Sequence, residues 1–336
     1  MIKIGLIGGG FMGKMHANCY RALQNVRVVG VSDIRQDKAK EIANLTGARA
    51  FSNVDELINN QEIDAISVFL PTYLHKELVI KSAQAKKHIF CEKPFALTVK
   101  DAEEMIKETK KAKVKLMIGM VLRFWPEYVE FKRMVDSKIY GRLANLTCTR
   151  LASRPIFGWD RWYFDPKRSG GAALDLHIHD VDYIYYLLGK PKSVYSVGRK
   201  ANKYWEHIYT IYKYEEDTVV NAEGGWVEES FGFVQAIRGV FEDGTVLEYN
   251  SKNQPLIIYG KEKAELVNIP KLKVDSIDVG GNISKLGAFY NEDKYWIECL
   301  QNDKYPERVT PEEAKASLEI VLKEIESAKI KKEILL

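Results

Sequence analysis

The sequence predicts a doubly wound α/β domain followed by an α+β domain, and three observations carry that prediction. Short, almost unbroken apolar runs recur through the first 120 residues, with stretches of helical spacing between them. A knot of glycines closes the first run. Beyond about residue 121 the alternation stops, and long segments rich in Val, Tyr, Thr and Ile take over, with helices at their flanks. A length of 336 residues suits two domains, drawn here as 1–121 and 122–336.

Taken in order, the predicted strands of the first domain are KIGLIG, VRVVGVSD, DAISVFLP, KHIFCEKP and KLMIGMVL. Runs of this kind fit strands buried on both faces of a parallel sheet. The amphipathic stretches GKMHANCYRALQ, RQDKAKEIANLTG, TYLHKELVIKSAQAKK and TVKDAEEMIKETKKAK lie between them. In the second domain, RFWPEYVEFKRMVDS reads as a helix with Pro126 in its first turn, and GRLANLTCTRLASR alternates like a strand. A single helix is expected over about 171–188, strands over about 192–268, and helices near 285–302 and 311–327. Thr310 with Glu313 is an N-cap signature for the last, and AKIKKEILL reads as a helix end followed by a strand.

Composition narrows the function classes. Hydrophobic residues make up 46% and charged residues 29%, the balance of a soluble globular protein. The net charge of +4 is spread along the chain without a basic stripe, so nucleic acid is not an expected partner. No apolar run reaches the roughly 18 residues of a membrane helix, and the N-terminus lacks the layout of a signal peptide. Cys19, Cys91, Cys148 and Cys299 are widely separated, which points away from a disulfide framework or structural zinc and toward a cytoplasmic protein with reduced thiols.

The glycines are the first functional signal. Gly8, Gly10 and Gly13 fit G-x-G-x-x-G between a strand and a helix. The first permits a tight turn, the second a close approach of pyrophosphate, the third close packing of helix on strand. The helix N-terminus, at Phe11 and Met12, offers N–H groups and a partial positive charge to the phosphates. Twenty residues after Gly13, Asp33 ends the second strand, where a carboxylate accepts from an adenosine ribose. That carboxylate favours NAD(H) over NADP(H). Ile34 and Arg35 follow it; Arg35 and Lys38 would soften the preference, or Arg35 would stack on adenine.

Together with CEKPFALT (91–98) and SGGAALDLHIHDVD (169–182), this fingerprint resembles the Gfo/Idh/MocA oxidoreductases, over nearly the whole chain and most closely their inositol dehydrogenase branch. The resemblance implies a Rossmann domain and a domain with a large, open-faced, mostly antiparallel sheet, through which members form homodimers or homotetramers. It places the family's lysine, aspartate and histidine at Lys93, Asp175 and His179, with a further aspartate at Asp182. Leu70, Pro71 and His75 would form the cofactor segment after the fourth strand, beside Glu92 and Lys93. A cis Lys93–Pro94 bond is also implied. Where many relatives carry glycine, this chain has His177.

Alcohol oxidation requires a hydride acceptor, a base for the hydroxyl proton and positive charge near the developing alkoxide. His179 suits the base and Lys93 the electrostatic role. Asp175, His179 and Asp182, spaced i, i+4 and i+7, are expected on one helical face, with Asp175 tuning its neighbours and Asp182 either accepting substrate hydroxyls or fixing the imidazole. No metal is expected: Asp175, His177 and His179 stand two apart, which on a helix points them in different directions. Arg123 is expected either to bind substrate oxygens or to form an interface ion pair. Trp159, Trp162, Tyr163 and Phe164 are expected to form either a sugar-stacking wall or core. The leading expectation is an NAD(H)-dependent oxidoreductase acting on a secondary hydroxyl of a cyclic polyol or sugar. A sugar or keto-sugar reductase or aldose oxidoreductase using NADP(H), and a non-catalytic dinucleotide-binding regulator, are the alternatives; Lys93, Asp175 and His179 argue against the last.

Overall fold

In the computed structural model, which describes residues 1–215, 217–252, 254–269 and 287–336, all five apolar runs of the first 120 residues are strands. The chain runs β1 (Ile2–Ile7), α1 (Phe11–Ala22), β2 (Val26–Ser32), α2 (Gln36–Thr46), β3 (Arg49–Phe51), α3 (Val54–Ile58), β4 (Ala65–Val68), α4 (His75–Gln84), β5 (His88–Glu92), α5 (Val99–Ala112) and β6 (Leu116–Gly119). The six strands are parallel throughout, in the order β3-β2-β1-β4-β5-β6. The sequence does not announce β3 and α3, which at three and five residues are too short to show a period.

The chain continues as α6 (Pro126–Ser137), β7 (Leu143–Ser153), α7 (Pro166–Ser169), α8 (Ala172–Asp175), α9 (Ile178–Leu188), β8 (Ser193–Ala201), β9 (Tyr204–Lys213), β10 (Val219–Val227), β11 (Val234–Phe241), β12 (Val246–Asn250), β13 (Gln254–Tyr259) and β14 (Ala264–Leu266). It closes with α10 (Gly287–Gln301), α11 (Pro311–Ile330) and β15 (Ile334–Leu335). The start of the helix expected from about 285 lies outside the described residues. Among the described residues the second sheet has nine strands in the order β14-β13-β12-β11-β7-β10-β9-β8-β15, antiparallel except where β7 meets β10. Thr310 and Glu313 exchange the two bonds of a capping box: Thr310 Oγ1 accepts from Glu313 N at 3.2 Å, and Glu313 Oε2 from Thr310 N at 3.3 Å.

Two compact units emerge, each discontinuous in sequence: Met1–Trp125 with Leu272–Lys315, of which 287–315 are described, and Pro126–Lys271 with Ala316–Leu336. A boundary drawn by chain order at 121 does not anticipate this return. Its physical cause is apolar packing: Ala288 and Phe289 of α10 bury against Met15, Cys19 and Val121.

The expected helix over 171–188 is broken. α8 ends at Asp175 and α9 begins at Ile178. Leu176 and His177 keep right-handed backbone angles, but the bonding register slips. His177 N–H reaches back five residues to Ala172 O (3.0 Å), and Asp180 N–H only three, to His177 O (3.0 Å). The wide turn at His177 and the tight turn at Asp180 shift the register in opposite senses, and between them they separate α8, which ends at Asp175, from α9, which carries His179. The buried His177 side chain pins the break. It lies against Gly224 of β10, where a Cβ would come within 2.5 Å of its Nδ1, and its Nε2 lies 3.1 Å from Glu324 of α11.

Candidate functional site

In the first unit the three glycines do what the motif predicts. Gly8 has φ +103°, and a Cβ there would come within 2.3 Å of Phe69 O. A Cβ on Gly13 would meet Gly8 O at 2.0 Å, so helix and strand pack at backbone contact. Gly10 is the opposite case: its nearest neighbour would be Arg35 Nη2 at 4.0 Å. That open space lies at the N-terminus of α1, which no side chain caps. A pyrophosphate fits there against backbone N–H groups. Asp33, 8% exposed, accepts from Gly9 N through Oδ2 and from Arg35 N through Oδ1, both at 2.7 Å. It thus braces the glycine turn at the end of β2, with Arg35 half-buried and Ile34 exposed beside it.

Leu70, Pro71, Glu92 and Lys93 lie at or just past the C-terminal ends of β4 and β5, on the same sheet edge as the glycine turn. The Lys93–Pro94 bond is cis, and Lys93 is half-buried. His75 is placed differently from expectation. It is fully buried, with Nδ1 2.9 Å from Pro94 O and Nε2 2.8 Å from Leu70 O. Burial pulls its pKa down, so the ring is neutral and donates to one carbonyl at a time. Its side chain is a strut between two loops and is not available to a cofactor.

Glu92 is likewise engaged. Its Oε1 lies 3.0 Å from His16 Nε2, and its Oε2 accepts from Lys93 N at 2.9 Å. His16 Nδ1 faces both oxygens of Asp293 at 2.9 and 3.0 Å. Sequence reasoning missed His16 and Asp293: a histidine inside a helix and an aspartate 277 residues away carry no shared signal. Among the described residues the group nearest to metal-ligand geometry is His16, Glu92 and Glu292, with donor atoms within 4.8 Å of one another. It is not the Asp175, His177, His179 triple.

Arg123 belongs to the first unit. Fully buried, it donates from Nη1 to Arg308 O (2.9 Å) and Glu313 Oε2 (2.8 Å). The expectation of substrate binding at Arg123 is corrected: the charge is matched by an ion pair inside the unit.

In the second unit, Asp175 is 8% exposed at the end of α8, and His179 is half-buried in the first turn of α9. The neighbouring Asp180 is fully buried and takes a two-pronged ion pair from Arg150 of β7, 2.7 Å from Nε and 3.2 Å from Nη2. Asp182 is also fully buried, accepting from Ser317 Oγ of α11 at 2.9 Å. That bond ties α9 to α11, and full burial keeps the carboxylate away from solvent, where a substrate hydroxyl would meet it. Trp162 is 8% exposed and stacks on Tyr163 at 4.0 Å, while Tyr163, Phe164 and Tyr204 surround the buried Trp226. Trp162 is buried, and Tyr163 and Phe164 are half-buried against the cluster around Trp226; Trp159 is the one of the four expected aromatics that is well exposed, at 40%.

A six-stranded parallel sheet in this order, with a glycine turn open at its second glycine, defines a dinucleotide-binding Rossmann protein. Comparison with known proteins agrees. Residues 2–120 match the model described as "Oxidoreductase family, NAD-binding Rossmann fold", and residues 128–246 match "GFO/IDH/MocA C-terminal domain". The chain belongs to the Gfo/Idh/MocA oxidoreductase family, and its first domain is the family's NAD-binding domain. It is 37% identical to the myo-inositol 2-dehydrogenase of Thermotoga maritima over 56% of this chain; the chain thus spans about half (55%) of that relative. It is 27% identical to the scyllo-inositol 2-dehydrogenase (NAD(+)) of Bacillus subtilis over 95% of this chain and 92% of that one. Levoglucosan dehydrogenase, solved as a complex with NADH and levoglucosan, shares the fold with a TM-score of 0.86 at 19% identity, over 99% of each chain.

Proposed function

We propose that this protein is an NAD(H)-dependent oxidoreductase that transfers hydride between nicotinamide and a secondary hydroxyl of a cyclic polyol or sugar of inositol type. The observation that carries the reading is Lys93 at the C-terminal end of β5, on the sheet edge where the glycine turn opens after β1. The inositol dehydrogenases among its relatives support the substrate class. Asp33, bracing the turn, favours NAD(H), since a carboxylate there repels a 2′-phosphate.

When bound, NAD supplies the hydride acceptor. The residues proposed to act on substrate are Lys93 of the first unit and Asp175 and His179 of the second. The His179 imidazole takes the hydroxyl proton, which Lys93 relays while its charge stabilises the developing alkoxide, and Asp175 tunes both groups. The test is a panel of inositols, aldoses and their keto forms read by nicotinamide absorbance, then Lys93→Ala and His179→Ala on the best substrate. Each substitution should lower turnover by about a hundredfold to ten-thousandfold with NADH affinity largely retained. Full turnover in Lys93→Ala would end the reading.

The protein is further proposed to be a cytoplasmic homodimer or homotetramer. The four cysteines are buried thiols without disulfides, which suits a reducing compartment. On the nine-stranded sheet, Tyr195 and Val197 of β8 pair with Ile211 and Tyr209 of β9, and all four are 40–51% exposed. An apolar patch of this kind fits a second copy. Sedimentation should report an oligomer that Ile211→Asp weakens; a monomeric wild type would refute it.

A further inference from the structure

His16 takes no part in the chemistry above, yet it is tied on every side. It lies within α1, four residues past Met12, and is fully buried. Its ring stacks on Phe69 at 4.4 Å and 13°, and meets Phe289 edge-on at 5.6 Å. Both ring nitrogens face carboxylates, Nε2 toward Glu92 and Nδ1 toward Asp293, so both carry protons. Burial opposes that charge, but Asp293 and Glu92 outweigh it and raise the pKa to about 10. An imidazolium among phenylalanines is a poor way to gain stability, because a well-packed apolar side chain would do as well. What it does provide is fixed geometry. Glu92 is held by His16 through one oxygen and holds the Lys93 backbone with the other.

We propose that His16 is a positioning residue: it couples the dinucleotide-binding helix to the Lys93 segment through Glu92, while Asp293 of α10 fixes the ring. The proposal rests on the reading of Lys93 as a reaction residue and extends it to a side chain that touches neither substrate nor cofactor.

The test uses the whole protein with His16→Gln and Glu92→Gln, each alone and combined with Lys93→Ala. Glu92→Gln keeps shape but sets an amide donor against the ring N–H, and it carries the test should His16→Gln not fold. Turnover should fall about tenfold to a hundredfold in the single variants, with NADH affinity within about threefold of wild type. In the Lys93→Ala background the same changes should cost no further turnover. A structural role alone would give equal losses in both backgrounds, and that result overturns the proposal. A second readout needs no substrate. After reductive methylation with 13C-formaldehyde, the Lys93 methyl resonance, identified by its absence in Lys93→Arg, should move in both single variants. A resonance at its wild-type position also overturns the proposal. Failure of the substrate panel with a displaced resonance would sink the functional reading and leave the coupling standing.

Discussion

The two units hold their candidate groups by different means. In the first, much of the site is backbone: the turn at Gly8, the open space at Gly10 and the N-terminus of α1. Parallel strands that end together bring such loops to one edge without further help. In the second, Asp175 and His179 flank a break in a helix, and buried side chains set where that break lies: His177 against Glu324, Arg150 on Asp180, Ser317 on Asp182. A backbone site tolerates side-chain change and fails on added bulk. A side-chain site fails when its buried partners are lost.

The largest effect that would sharpen this contrast is at Gly13. A Cβ 2.0 Å from Gly8 O cannot be accommodated without moving the turn, so Gly13→Ala should abolish measurable NADH binding by fluorescence titration and lower the Tm. Gly10→Ala should leave the Tm unchanged yet weaken NADH binding about tenfold or more, because the new methyl enters only the space a phosphate would use. Equal effects at the two positions would break the backbone account.

Next, Arg150→Met strands the buried Asp180 carboxylate and should cost about 3–5 kcal/mol in denaturant unfolding. Adding Asp180→Leu should recover much of it. Losses that simply add would show that the pair does not act as a unit.

A smaller effect concerns specificity. Asp33→Ser removes the carboxylate that would repel a 2′-phosphate, and should narrow or reverse the preference for NAD(H) measured by paired titrations. Because Asp33 also holds Gly9 N, NAD(H) affinity itself should fall. A wild type that already prefers NADP(H) would contradict this.

The smallest is a slope with pH. His16 is raised in the folded state from 6.5 to about 10, so its contribution to stability is fully present below about pH 6.5 and is lost as pH rises through 10. The Tm of the wild type should therefore fall between pH 7 and 10 more steeply than that of His16→Asn. Parallel slopes would remove His16 as the source.

What could be read from the sequence was local. The alternation that gives β1, β2, β4, β5 and β6, the G-x-G-x-x-G turn, the Pro126 start of α6 and the Thr310–Glu313 box each depend on residues within about thirty positions of one another. Periodicity and turn chemistry are properties of short stretches, so they survive without a fold around them. The resemblance added Lys93, Asp175 and His179 as candidates, but not their surroundings. Tertiary structure alone decided the return of residues 287–315 to the first unit, the burial of Arg123 and Asp182, the break at Leu176–His177, and the His16–Glu92–Asp293 cluster. The reason is physical. A buried charge takes the partner that desolvation leaves within reach, and that partner can come from any distance along the chain: Glu313 for Arg123, Ser317 for Asp182, Asp293 for His16.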